Sequence, residues 1–296
     1  MASQVPLVAG IELGGTKCVV VLGTGPDMRA RQTIPTTDPA ATLAAIEGVL
    51  DGWAFDALGV ASFGPLQLDR AAAEYGAITA TTKPGWTGTD LVRRFAARYS
   101  KPIGFQTDVE GAALAEARWG AAQGLATHAY ITIGTGVGVG LVVGGRPVQG
   151  VSHGEAGHMR VPRAPGDSFA GWCRFHGDCV EGLIAGPALA ARFGRPGDQL
   201  PDDAPEWDLI VHDLAGLLHN LVVTAAPERI AIGGGVMAAR AHLFPRLRAR
   251  LAESLGGYGS LAAYAGELDT RLGPPGLGAM AGPLGAIAVG LAAVGA

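Results

Sequence analysis

Cysteine is scarce in this chain, with three residues in 296. A small, odd number excludes the disulfide framework of a secreted mini-domain, and a chain of this length buries a sufficient core without one. Charge is thin as well. Charged side chains make up 16% of the sequence and the net charge is −4, so there is no basic excess to draw the chain onto nucleic acid or an acidic membrane. No unbroken apolar run reaches the ~18 residues that span a bilayer. The opening stretch MASQVPLVAGIELGG carries no basic residue and runs straight into a strand-like segment, so it does not read as a secretory leader. These absences lead to the expectation of a cytoplasmic protein acting on small molecules, with neither nucleic acid nor membrane as partner.

Glycine and apolar residues are plentiful. Hydrophobic residues make up 48%, and 47 glycines and 19 prolines are dispersed among the apolar segments, which describes a globular chain with many tight turns. The length suits one large domain or two ordinary ones. Strands are expected over 7–12, 18–23, 57–63, 103–107 and 229–233, and helices over 39–52, 87–99, 108–120, 207–225, 236–255 and from 283 onward. Thr107 and Glu110 have capping-box spacing at the start of the helix DVEGAALAEARW. The segment 151–182 is irregular, rich in Gly, Pro and His.

An internal repeat organises the rest. IELGGTKCVVVLG and ITIGTGVGVGLVVGG are both strand, glycine tip, strand, one early in each half of the chain. Such a tip lets consecutive backbone N–H groups converge on an anion such as phosphate, although one tip alone is equally an ordinary hairpin turn. Two at equivalent places favour a phosphate clamp, with Gly14, Gly15, Thr16 and Lys17 in the first and Thr135 and Gly136 in the second. A Walker-type loop is excluded because Gly15-Thr16-Lys17 leads into a strand instead of a helix. Gly233-Gly234-Gly235-Val236-Met237-Ala238 matches the dinucleotide pattern in its alanine form. No acidic strand end follows at the required distance, so a glycine turn meeting a nucleotide fits better than a nicotinamide site. Two duplicated α/β halves with a central cleft are the expected architecture.

Two of the cysteines lie close together in WCRFHGDCVEG. Cys173, His176 and Cys179 form C-x-x-H-x-x-C, and His158 stands 15 residues upstream of Cys173. Two thiolates and two imidazoles make a tetrahedral Zn²⁺ set, with unligated packing as the alternative. A Cys173–Cys179 disulfide is disfavoured by the expected compartment. Cys18, within a strand, reads as a small buried hydrophobe.

These motifs, taken in order, resemble the ROK sugar kinases: IELGGTK, FGPL, YGAITATTKPGW, TDVEGAALAE, ITIGTGVGVG, GEAGH, the Cys-His-Cys stretch with EGLIAGPAL, and AIGGGV. KPGW and FHGDC with the following EG are typical of the fructokinase branch. The resemblance spans nearly the whole chain. It implies an actin-like, hexokinase-type fold, ATP with Mg²⁺, and transfer of a phosphoryl group to a sugar hydroxyl, most closely the 6-hydroxyl of fructose. Glucose, mannose or an N-acetylhexosamine is the rival acceptor. A sugar-responsive regulator is disfavoured because no helix-turn-helix precedes the first glycine tip.

The resemblance also assigns residues. Asp108 is the general base; at the junction of a strand and a helix it would otherwise serve as helix N-terminal charge complement. Glu12 attracts Mg²⁺, in a position where many ROK kinases carry Asp. Glu155, His158 and Glu181 hold the sugar, bordered by Gly64 and Pro65. Gly186, Pro187, Gly234 and Gly235 border the nucleotide. A structural Zn²⁺ is held by His158, Cys173, His176 and Cys179. The implied domains are 1–107 with 283–296, and 108–282, and a homodimer is expected. Trp207 is read as core before adenine contact, Glu110 as a cap, and His153, His212 and His219 as structural.

Overall fold

The computed structural model describes residues 5–296. In chain order the elements are β1 (Val8–Leu13), β2 (Lys17–Gly23), β3 (Met28–Pro35), α1 (Pro39–Leu50), β4 (Ala57–Ser62), α2 (Leu91–Arg98), β5 (Ile103–Thr107) and α3 (Asp108–Trp119). They continue with β6 (His128–Ile133), β7 (Val137–Val143), β8 (Arg146–Pro147), α4 (Val180–Ile184), α5 (Gly186–Phe193), α6 (Glu206–Ala225) and β9 (Arg229–Gly233). The last elements are α7 (Leu243–Leu255), α8 (Leu261–Gly266), α9 (Leu268–Arg271), β10 (Leu272–Gly273) and α10 (Ala281–Ala293).

Two compact units result. The first holds the described residues up to Gln123, with Pro147–Gly154 and Met280–Ala296; the second holds Gly124–Arg146 and Glu155–Ala279. Against the expected boundary after residue 107, α3 belongs to the first unit. The reason is packing. Gly111 of α3 and Gly285 of α10 face each other so closely that a Cβ on Gly285 would lie 2.5 Å from the Gly111 carbonyl carbon. Strand β4 meets the same helix: a Cβ on Gly59 would lie 1.8 Å from the Ala286 carbonyl oxygen. The small, apolar tail AGPLGAIAVG is therefore a core helix that sits directly on backbone.

The first unit's sheet has the order β3-β2-β1-β4-β5, with β1, β4 and β5 parallel, β2 antiparallel to β1, and β3 antiparallel to β2. The second sheet has the order β10-β9-β6-β7-β8, with β6, β9 and β10 parallel and β7 antiparallel to β6. Each glycine tip closes an antiparallel pair, β1–β2 or β6–β7, and sits at the carboxyl end of a central parallel strand. In open α/β sheets that end is where ligands bind.

Several elements differ from the sequence expectation. β3 was not expected because it is an edge strand with alternating exposed residues and no apolar run. Helix α2 begins at Leu91, four residues later than expected, because Asp90 is the cap that accepts from the Arg93 N–H at 2.9 Å. Helix α7 begins only at Leu243: Gly234 takes φ 87°, and turns bonded Met237 N–H to Gly234 O and Arg240 N–H to Met237 O occupy the intervening stretch. Helix α6 is long and apolar enough to cross a membrane by length and composition, yet half of that stretch is buried in the protein. Ten of its residues, from Trp207 to Val222, are buried within the second unit, which describes a core helix.

Candidate active site

In the first unit, strand register decides which side chains meet. Glu12 pairs across β1–β4 with Ala61, and Leu13 with Ser62; Ser62 in turn pairs with Thr107 of β5. Asp108, the residue after Thr107, thus emerges at the same sheet edge as the first tip. Thr107 Oγ1 accepts from Glu110 N–H at 3.2 Å and starts α3, while Asp108 Oδ1 accepts from Val109 N–H at 2.9 Å. Glu110 is buried at the cap, as its spacing suggested.

The Glu12 carboxyl is pushed up to about 7, first by burial and then by the negative charge of Asp108, with Lys17 and Arg31 pulling the other way. Two carboxylates within electrostatic reach of one another in a part-buried site favour a cation near them. Cys18, fully buried beside this site, has its thiol pushed up by burial and remains an inert hydrophobe.

The tip Gly14–Lys17 is a tight hairpin with Gly14 N–H donating to Lys17 O at 3.1 Å; Gly15, Thr16 and Lys17 are exposed. Thr36 braces it, donating its N–H to Thr16 O and its hydroxyl to Gly14 O. One residue here escaped sequence reasoning. Lys83, from KPGW, sends its ammonium to Gly15 O at 2.6 Å and to Thr36 O at 3.3 Å. The adjacent Trp86 is buried and donates to Thr37 O at 2.8 Å, anchoring the segment. Nothing in the spacing of Lys83 from the tip signalled this contact.

The Gly64–Pro65 peptide is cis. His153, expected to be structural, is buried, and its Nε2 accepts from Leu66 N–H at 2.9 Å, fixing the turn that displays Gly64 and Pro65.

In the second unit the predicted nucleotide segments converge on the carboxyl ends of β6 and β9. Gly134 N–H donates to Gly136 O at 2.9 Å to form the second tip, with Thr135 exposed. Gly186, leading into Pro187 and α5, donates to Gly134 O at 2.7 Å. Gly234 lies against Ile133, where a Cβ would come within 2.4 Å of the backbone nitrogen, so this position admits only glycine; Gly235 is exposed beside it. Trp207 is not there. It is fully buried, its Nε1 donates to Pro201 O at 2.8 Å, and Arg240 covers its ring at 5.1 Å.

The metal set also assembles. His158 closes a one-turn 3₁₀ helix after Glu155, its N–H donating to Glu155 O at 2.9 Å. Gly157 between them packs where a Cβ would meet Val137 O at 1.8 Å. Donor atoms of His158, Cys173, His176 and Cys179 all lie within 4.8 Å of one another. The N–S separations are 3.4 Å for His158–Cys179 and 3.7 Å for both His158–Cys173 and Cys173–His176. Tetrahedral zinc with ordinary Zn–S and Zn–N bonds requires about 3.6 Å between N and S ligands. The residues present therefore fit zinc in donor chemistry and spacing. Burial pushes the Cys179 thiol up to about 11, so without a cation it stays protonated.

The loop between the cysteines is held from two sides. Cys173 and Gly177 exchange backbone hydrogen bonds of 3.1 and 2.9 Å, and Arg160 donates to Asp178 Oδ1 at 2.9 Å and His176 O at 3.2 Å. Glu181 is the second residue of α4, two after Cys179. Its Oε2 accepts from Val137 N–H at 3.1 Å at the end of the second tip, and its Oε1 lies 3.9 Å from His158 Nδ1. Glu155, His158 and Glu181 are thus one neighbourhood with the metal set, and Gly136 and Glu181 are in contact.

Two α/β units, each carrying a glycine tip at the carboxyl end of a central strand, with an acidic pair at one and a Cys/His cluster at the other, describe an actin-like sugar kinase. The chain belongs to the ROK family, whose family model matches residues 8–292. It is similar to the fructokinase of Pediococcus pentosaceus, 39% identical over 97% of this chain and 99% of that one. It is likewise similar to the fructokinase of Zymomonas mobilis, 40% identical over 96% of each chain. Among solved structures, a ROK hexokinase from Thermus thermophilus superposes with a TM-score of 0.77 at 28% identity, covering 98% of this chain and 99% of that one.

Proposed function

We propose that this chain is a fructokinase that transfers the γ-phosphoryl group of ATP to the 6-hydroxyl of fructose. The observation that carries the reading is the Glu12–Asp108 carboxylate pair beside a glycine tip, in a chain 39% and 40% identical to two fructokinases over nearly its full length.

Phosphoryl transfer depends on positioning and on neutralising charge. Asp108 accepts the proton of the sugar 6-hydroxyl as that oxygen forms its bond to the γ-phosphorus; the bond from that phosphorus to the bridging oxygen breaks and ADP leaves. Glu12 would hold the Mg²⁺ that enters with ATP, which would supply charge neutralisation at the phosphates. The N–H groups of Gly15 and Thr16, with Lys17 and Lys83, meet the phosphates at the first tip, whose shape the Gly14 N–H holds through its bond to Lys17 O. Thr135, Gly136, Gly186, Pro187, Gly234 and Gly235 frame the nucleotide at the second.

Glu155, His158 and Glu181 accept or donate hydrogen bonds to sugar hydroxyls, and carboxylates suit a polyol because charge-assisted bonds are the stronger kind. The turn at Gly64 and Pro65 borders the sugar. His158, Cys173, His176 and Cys179 would hold a structural zinc, which would supply a rigid cross-link and no chemistry at the sugar. Through it, His158 keeps its ring orientation and Glu181 its place at the start of α4.

The enzyme works in the cytoplasm as a homodimer, on small molecules only. A coupled ADP-release assay with fructose, glucose, mannose and N-acetylglucosamine tests the substrate. Fructose should give the highest kcat/KM; a preference for any of the others reassigns the acceptor while leaving the phosphoryl-transfer reading in place.

A further inference from the structure

Gly282 occupies the second position of α10, and its backbone is ordinary right-handed helix. Nothing in its conformation calls for glycine, and alanine there would favour the helix. What the glycine provides is space. A Cβ on Gly282 would lie 1.9 Å from Oε1, 2.5 Å from Cδ and 3.1 Å from Oε2 of Glu12. All three of its nearest neighbours belong to that one carboxyl group.

We propose that Gly282 is a positioning residue for phosphoryl transfer: its missing side chain is the slot that receives the Glu12 carboxylate. A glutamate at position 12 reaches one methylene further than an aspartate, and the room for that methylene comes from α10. The two residues are therefore a coupled pair, a long carboxylate with an empty place opposite. A Cβ at 282 first meets the flexible end of Glu12, which must move to make room for it. The inference rests on the reading of Glu12 as the carboxylate that orients Mg²⁺.

The test compares wild type, G282A, E12A, E12D and E12D/G282A. Displacing a positioning group by about 1 Å costs up to ~100-fold in rate. G282A should therefore lower kcat about 10–100-fold, with an unchanged KM for fructose and a thermal midpoint equal to or above wild type. Mn²⁺ binding in the presence of ADP, read by electron paramagnetic resonance, should weaken in parallel. Added to E12D, the same G282A change should alter kcat less than about twofold, since the shorter side chain leaves the slot empty. A G282A enzyme within twofold of wild type, alongside an inactive E12A, overturns the slot and keeps the role of Glu12. An E12A enzyme with wild-type turnover removes the role of Glu12 and the slot with it. Equal losses from G282A in both backgrounds, or a G282A chain that fails to fold, also overturn the proposal, because the slot faces only Glu12.

Discussion

Replacing Glu12 with Gln removes a carboxyl that titrates in the wrong place for stability. An ordinary glutamate titrates at 4.5, and burial together with Asp108 pushes this one up to about 7 in the folded chain. Between those values the native state binds more protons than the unfolded state, so stability falls as pH rises through the window. Linkage for a single group with these two values gives a loss of about 2.5 kcal/mol between pH 5 and pH 8. Glu12→Gln keeps the size of the side chain and removes the titration. Its stability relative to wild type should therefore rise by about 2.5 kcal/mol from pH 5 to pH 8, equivalent to roughly 5–10 °C in thermal midpoint. Groups remote from Glu12 cancel in the difference, and its electrostatic neighbour Asp108 is left with one negative charge fewer beside it. The assay is thermal or urea unfolding of both proteins across that range, without Mg²⁺ or nucleotide. Parallel profiles, within about 0.5 kcal/mol at every pH, would refute the claim that Glu12 is held in a site unfavourable to its own charge. The same site is the place where activity would be traded for stability, as strained functional sites are.

Two other perturbations follow from the geometry. Wild-type protein purified without chelator should carry about one zinc per chain, and Cys179→Ala should lose it while raising the KM for fructose, because Glu181 and His158 share that cluster. Metal analysis by mass spectrometry decides it, and full activity with negligible zinc contradicts the structural role. Lys83→Met removes a charged donor from the first tip, a bond worth about 1.5–3 kcal/mol. The kcat/KM for ATP should fall about 10–100-fold with little change in the KM for fructose; steady-state kinetics that leave ATP unaffected would make Lys83 a scaffold residue only.

Much of this was legible in the sequence because the signals are local. The glycine tips announced themselves as breaks between apolar runs, Thr107 as a cap three residues ahead of Glu110, and the Cys/His cluster as a short C-x-x-H-x-x-C with one outlying histidine. Trp207 was rightly weighed as core, since a tryptophan near a helix start is more often packed than exposed. The rest depends on contacts between distant segments. Lys83 meets Gly15 across 68 positions, and the slot at Gly282 is defined by a strand from the opposite end of the chain. β3 carries too little apolar character to register, and the start of α7 is delayed by turns at Gly234 that composition does not reveal. Helix α3 packs with the first unit because Gly111 and Gly285 allow backbones to touch, which no periodicity shows.

The account centres on Asp108 as the group that takes the proton from the sugar. Asp108→Asn preserves shape and hydrogen bonding at the start of α3 and removes the base. The decisive measurement pairs fructose binding by calorimetry with fructose phosphorylation by ATP in this variant. Binding should stay within about threefold of wild type while turnover falls by at least about 100-fold, the scale expected for a lost general base. Turnover at the wild-type rate in Asp108→Asn would contradict the account.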